Sequence, residues 1–200
     1  MSPHEPLAGL AGLAGLAGLA GPRRGHFDLG TGFHGDLWLD LDGLFARPAL
    51  LRPHVRRLAG RLREYKVDAV CGPMEGGALL GYAVADVLEV AFLPAYRGGP
   101  GEDATAYRLP PGRIAGWRVA IVDDAVNAGT ATAACGGLLR DADAIPVAVG
   151  ALLGLGPASG AVAAAMSVPF HAIATLDSQA WPAERCPLCA DGVPLTGPCG

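Results

Sequence analysis

The residues best suited to chemistry in this chain lie together in Val119-Ala-Ile-Val-Asp-Asp-Ala-Val-Asn-Ala-Gly-Thr-Ala131. Four apolar residues read as a buried strand that delivers Asp123 and Asp124 to its carboxyl end. The following Asn127-Ala-Gly-Thr130 is a small-residue turn opening a helix. There, backbone N–H groups converge on a phosphate and the helix N-terminus reinforces them. Two carboxylates beside such a cradle are acceptors, suited to the hydroxyls of a ribose or to a metal holding that sugar. A phosphate nest next to a diol acceptor spells ribose 5-phosphate. The plainer alternative is a buried strand whose acids cap the next helix; the attached turn favours the sugar phosphate.

Strands alternating with helices must position these groups. Val67–Gly72 reads as a strand followed by a Pro/Gly turn and a helix over Gly77–Leu88. Val90–Ala95, Arg118–Asp124, Pro146–Leu153 and Phe170–Thr175 read as further strands, with helices at Gly129–Arg140 and 158–166. An amphipathic helix is expected over 47–66 and a β-hairpin or meander over Gly25–Asp42. This grammar predicts an α/β domain over 23–200 with a mainly parallel, twisted sheet flanked by helices, its ligand beyond the carboxyl ends of the strands. Residues 1–22, with their Ala-Gly-Leu repeat, match neither helix nor strand periodicity and are expected to form a flexible tail. Gly98–Arg113 reads as a polar Gly/Pro loop.

The apolar run, paired acids and small-residue loop resemble the signature of type I phosphoribosyltransferases. Three further segments are similar to orotate phosphoribosyltransferases: the opening Gly25-His-Phe-Asp-Leu-Gly-Thr-Gly-Phe-His-Gly-Asp36, the loop within Val70–Ala78, and the Cys-Pro-Leu-Cys of Trp181–Leu195. Their order and spacing cover about residues 25–195. The resemblance implies a type I phosphoribosyltransferase fold with a small hood from segments near 25–45 and 177–198. It implies transfer of 5-phosphoribosyl from phosphoribosyl pyrophosphate to a nucleobase nitrogen, with orotate as the expected base, Mg²⁺ as cofactor and a homodimeric state. It assigns phosphoribosyl pyrophosphate to Asp123, Asp124, Ala125, Val126, Asn127, Ala128, Gly129, Thr130 and Ala131, and pyrophosphate to Gly72, Pro73, Met74, Glu75, Gly76 and Gly77. It gives base binding to Phe27 and Asn127, and makes the 98–113 loop a lid.

The departures bear on specificity. Lys66 is the only lysine, so Arg97, Arg108 and Arg113 are the cations available to the lid, and Arg97 and Arg108 join Asp123 and Asp124 as candidate catalytic residues. The family's base-carboxylate arginine has no counterpart in Leu152-Leu-Gly-Leu-Gly156. Another acceptor base, or a non-catalytic module sensing the sugar phosphate, therefore stays open beside orotate. Cys186 and Cys189 form a Cys-x-x-Cys with Cys199 downstream, and a zinc site would want further ligands, of which His171 and Cys135 are the nearest candidates. A free, inert pair is the expectation, with no metal assigned, and His26, His34 and His54 are expected to be ordinary hydrogen-bonding residues.

Composition agrees with this. Apolar residues at 51% and charged residues at 17% exclude a disordered chain. Net charge −4 without a basic tract argues against nucleic acid or an anionic membrane as partner. Five cysteines, an odd number, without a secretory signal point to a reducing cytoplasm.

Overall fold

A strand buried on both faces can be apolar throughout, and such runs build the central sheet. The computed structural model describes residues 16, 20–29, 32–98 and 106–196. In chain order, β1 (Arg23–Asp28) and β2 (Phe33–Trp38) form an antiparallel hairpin, followed by helices α1 (Asp42–Phe45) and α2 (Pro48–Leu62). Next come β3 (Ala69–Pro73), α3 (Gly76–Leu88), β4 (Ala91–Arg97), the short β5 (Tyr107–Arg108), β6 (Arg118–Val126) and α4 (Thr130–Asp141). The chain continues through β7 (Ile145–Leu155), α5 (Ala161–Ala165), β8 (Phe170–Leu176), β9 (Ala180–Pro182) and α6 (Pro187–Ala190).

The main sheet has the order β5-β4-β3-β6-β7-β8, parallel except for β5 on the edge. Its two faces bury alternate residues. Val70, Ala120, Val122 and Ala148 pack under α2 and α3, which supply Leu58, Leu62, Leu80 and Val84. Ala69, Cys71, Val119, Ile121 and Val149 face the other way against Cys135 and Leu139 of α4. The chain leaves β3 toward β4 on one side and returns through β6 on the other. The strand order therefore reverses between β3 and β6, where an open α/β sheet leaves a crevice at its carboxyl edge. A second sheet, β1-β2-β9, joins the N- and C-terminal segments.

Two expectations change. Leu16 and Ala20, within the supposed tail, are helical and fully buried in the same core as Leu58 and Val84. Burial of their apolar side chains is what favours order at these two positions. The rest of the 1–19 stretch lies outside the described residues. The loop expected over 98–113 holds β5, which pairs Tyr96 with Arg108 and Arg97 with Tyr107, and Gly98 N–H donates to the Ala106 carbonyl at 2.8 Å. Residues 99–105 of that loop lie outside the described ones.

Candidate active site

Both loops that leave the strand-order reversal carry predicted site residues. Strand β6 ends in Asp123 and Asp124, bends at Asn127 and Ala128, and enters α4 through Gly129. Gly129 adopts φ +75°, and a Cβ there would stand 2.6 Å from Val162 Cγ1, so glycine is required by conformation and by the α5 neighbour alike. The loop after β3 turns at 74–75, where the Met74–Glu75 peptide is cis, and starts α3 at Gly76. Gly72 lies so close to this helix start that a Cβ would meet the Gly77 carbonyl oxygen at 2.3 Å.

The two loops interlock through the acids. A Cβ on Gly76 would fall 2.0 Å from Asp124 Oδ2, and one on Gly77 would fall 2.5 Å from Asp123 Oδ1. Glycine at both positions lets the carboxylates lie against the first turn of α3. Asp123 Oδ1 accepts the Asp124 N–H at 3.1 Å and Asp124 Oδ1 accepts the Ala125 N–H at 2.8 Å. Burial, and then the neighbouring Asp124 carboxylate, push the Asp123 carboxyl well above the usual range. Burial also raises Asp124. Such a pair is held ready for hydroxyl or cation partners that its own protein groups do not supply.

A cavity of about 400 Å³ opens beside the pair. Asp123, Ala125, Asn127, Ala128, Gly129, Thr130 and Ala131 form one wall, and Leu155–Ala158 another. The third comes from the small sheet and its neighbours: Leu29, Phe33, Ser178, Gln179 and Ala180. Asp36 braces that third wall. Its Oδ1 accepts the Gln179 N–H at 2.8 Å, and its Oδ2 accepts from Arg24 Nη1 at 2.9 Å. Arg24 also donates to the Asp177 carbonyl.

Several predicted residues sit elsewhere. Val126 is buried with Ala151 and Val162, as core and not cradle surface. Phe27, expected to bind the base, is 2% exposed and packs on Trp38 with ring centroids 6.1 Å apart. Phe33, at 41% exposure, is the aromatic that lines the cavity. Arg97 and Arg108 stand on the β4–β5 hairpin rather than in the cavity wall, Arg97 lying 5.7 Å from the Tyr107 ring centre. No lysine or arginine lines the cavity among the described residues. Leu29, Phe33 and Ser178–Ala180 line the cavity without any local motif that marks them, although they lie in or beside the segments expected to form the hood.

The cysteines and histidines also rearrange. His171 bonds Tyr65 Oη at 2.8 Å. Cys135 and Cys71 are buried in the core, where a hydrogen bond between them and burial raise the Cys135 thiol far above its ordinary value. Neither residue approaches Cys186 and Cys189 closely enough to form a ligand group with them. His26 and His34 do, all four ligand atoms lying within 4.8 Å of one another. Cys199 lies outside the described residues.

No protein-family model matches the chain. Curated relatives match along most of its length. An orotate phosphoribosyltransferase of Caldanaerobacter subterraneus subsp. tengcongensis is 32% identical over 176 residues, covering 88% of this chain and 88% of the relative. Another, of Thermotoga maritima, is 33% identical over 175 residues, covering 87% of this chain and 89% of the relative. The chain belongs to the orotate phosphoribosyltransferase family. Among solved structures, the orotate phosphoribosyltransferase of Aeropyrum pernix superposes with a TM-score of 0.64 at 25% identity, over 84% of this chain and 93% of that one. The family likeness read from Val119–Ala131 and its flanking motifs is borne out, as is the type I phosphoribosyltransferase fold.

Proposed function

We propose that the protein transfers a 5-phosphoribosyl group from phosphoribosyl pyrophosphate to orotate, giving orotidine 5′-phosphate and pyrophosphate in pyrimidine biosynthesis. The observation that carries this reading is the interlock at the strand-order reversal. There the acid pair of β6 meets the glycines of the 72–77 loop beside a cavity walled by residues 127–131. In the reaction a base nitrogen bonds to ribose C1 and releases its proton to solvent as the C1–oxygen bond to pyrophosphate breaks, the electron pair of that bond leaving with pyrophosphate. The 127–131 backbone and the α4 N-terminus hold the 5-phosphate. Asp123 and Asp124 accept hydrogen bonds from the ribose hydroxyls and stabilise the cationic ribosyl centre. The 72–77 loop receives pyrophosphate, and Arg97 and Arg108 balance its charge from the neighbouring hairpin. Asn127 and Phe33 face the base. Positioning and water exclusion supply the rate.

Mg²⁺ fits these residues. Asp123 and Asp124 offer the oxygen donors that ion prefers, and their raised carboxyls are relieved by a nearby cation. When bound, the ion neutralises charge on the departing pyrophosphate. A second reading, transfer to a base without a carboxylate, is favoured by the absence of lysine and arginine from the cavity wall among the described residues. A site with no buried cation to leave unpaired discriminates weakly between orotate and uracil. The deciding experiment is pyrophosphate release with phosphoribosyl pyrophosphate, Mg²⁺ and a panel of orotate, uracil and purine bases. Turnover with orotate supports the first reading, turnover with another base alone supports the second, and binding without turnover on any base would leave a sensor.

The protein acts as a homodimer in the cytoplasm, without nucleic-acid or membrane partners. Leu79 and Tyr82, exposed at 55% and 65%, line a groove between α2 and α3 that suits a second copy. Among the described residues no helix is long and apolar enough to cross a membrane. Sedimentation of the wild type and of Tyr82→Glu tests the dimer: an unchanged mass in the variant would place the interface elsewhere.

A further inference from the structure

Four Lewis-basic side chains from both ends of the chain converge on one point away from the cavity wall. His26 sits in the irregular part of β1, His34 lies on β2, and Cys186 and Cys189 bracket the start of α6. His26 Nε2 lies 3.1 Å from His34 Nδ1, 3.4 Å from Cys186 Sγ and 3.7 Å from Cys189 Sγ, and Cys189 Sγ lies 3.3 Å from His34 Nδ1. A tetrahedron with bonds of ~2.0–2.1 Å to nitrogen and ~2.3 Å to sulfur has N···N, N···S and S···S edges of about 3.3, 3.6 and 3.8 Å. The one N···N and three N···S separations already have the size of those edges, and all four ligand atoms lie within 4.8 Å of one another.

The tautomer of His26 supports the same conclusion. Its Nδ1 lies 2.7 Å from the Val193 carbonyl oxygen, which can only accept, so Nδ1 carries the proton and Nε2 presents a lone pair to both sulfurs. A ligand histidine held through its other nitrogen by a backbone carbonyl is the usual outer support of a metal site. His26 and Cys186 are buried, and both cysteines are free thiols. We propose that His26 Nε2, His34 Nδ1, Cys186 Sγ and Cys189 Sγ bind one zinc ion as a closed, structural site.

Two thiolates and two imidazoles in a tetrahedron suit zinc, and four protein ligands leave no open position for catalysis. The role follows from what the ligands join. The chain from Cys186 to Thr196 returns to the hood, where the Thr196 N–H donates to the His26 carbonyl at 2.6 Å. The same return sets the Val193 carbonyl against His26 Nδ1. Zinc would staple it to the β1–β2 hairpin, and His34 is next to Phe33 of the cavity wall. The site therefore fixes the hood, whichever base the cavity accepts.

The test uses the full chain, purified without a histidine tag and dialysed against a mild chelator. Elemental analysis is expected to find about one zinc per chain, and a mercurial thiol reagent to release it to a colorimetric indicator. Cobalt(II) substituted for zinc is expected to give intense visible d–d bands of a tetrahedral site with thiolate charge transfer, a readout that needs no variant. Cys189→Ser and His34→Gln are expected to lower retained zinc at least tenfold while circular dichroism reports a folded chain. Less than one zinc per ten wild-type chains, octahedral cobalt spectra, or undiminished zinc in both folded variants would each overturn the proposal. So would a Cys186–Cys189 disulfide in the freshly purified protein by peptide mass.

Discussion

Gly76→Ala probes the interlock between the two active-site loops. The added Cβ would lie 2.0 Å from Asp124 Oδ2, while ordinary contact begins at 3.4 Å, so the two must part by 3.4 − 2.0 = 1.4 Å. Gly76 is the first residue of α3 and is not among the glycines with positive φ, so its backbone accepts alanine. At this first helical position the helix-preference gain is below the roughly 0.5–1 kcal/mol of a mid-helix site. The side chain of Asp124 can swing aside, and the displacement falls on the carboxylate proposed to face the sugar. Misplacing a reacting group by about 1 Å costs on the order of 10²-fold in rate. That corresponds to about 2.7 kcal/mol of transition-state stabilisation at ~1.36 kcal/mol per decade. Steady-state kinetics with varied phosphoribosyl pyrophosphate, run beside thermal unfolding, should show kcat/KM down by about 100-fold with Tm nearly unchanged. A variant within twofold of the wild-type kcat/KM would show that the acids do not act from the position described. An equal collapse of Tm would show that Gly76 serves folding instead.

Asp123→Asn is expected to abolish activity yet stabilise the free protein at neutral pH. The buried Asp123 carboxyl titrates above its unfolded value, so the native state gains from its protonation in acid and loses that gain as pH rises through the folded pKa. Urea unfolding should therefore show an advantage for the variant at pH 7.5 that disappears below about pH 4; an equal advantage at both would refute the assignment. Gly129→Ala meets both φ +75° and Val162 Cγ1 at 2.6 Å, and should cost about 1–3 kcal/mol of stability. Its cost should shrink in a Val162→Ala background, and strictly additive costs in the double-mutant cycle would rule out the contact. Asp36→Ala removes the brace on Gln179 and should raise KM for the base while costing only about 1 kcal/mol of stability, since the Arg24 pair is partly exposed. Unchanged KM would mean that the 178–180 wall does not contact the base.

Strand β6, its acids and the following turn were legible because strand, turn and helix are consecutive in sequence. The period of apolar residues and the small-residue turn describe them without reference to anything distant. The alternation of strands and helices likewise disclosed the parallel sheet, and with it the edge where the ligand belongs. The aromatic of the cavity wall was not legible. Register in β1 shifts between Arg24 and Phe27, two residues opposing one on β2, and such a bulge reverses which side chains face inward. It buries Phe27 and leaves the wall to Phe33. The contact of Asp123 and Asp124 with Gly77 and Gly76 joins residues nearly fifty positions apart. It exists because the sheet order sets β3 beside β6. The His26–Cys186 pair spans 160 positions. Sequence supplied those ligand types, but proximity came only from the closing of β9 and the C-terminal segment onto the hairpin. Local propensity and periodicity are properties of neighbours along the chain, whereas a cavity wall and a ligand cluster are properties of neighbours in space.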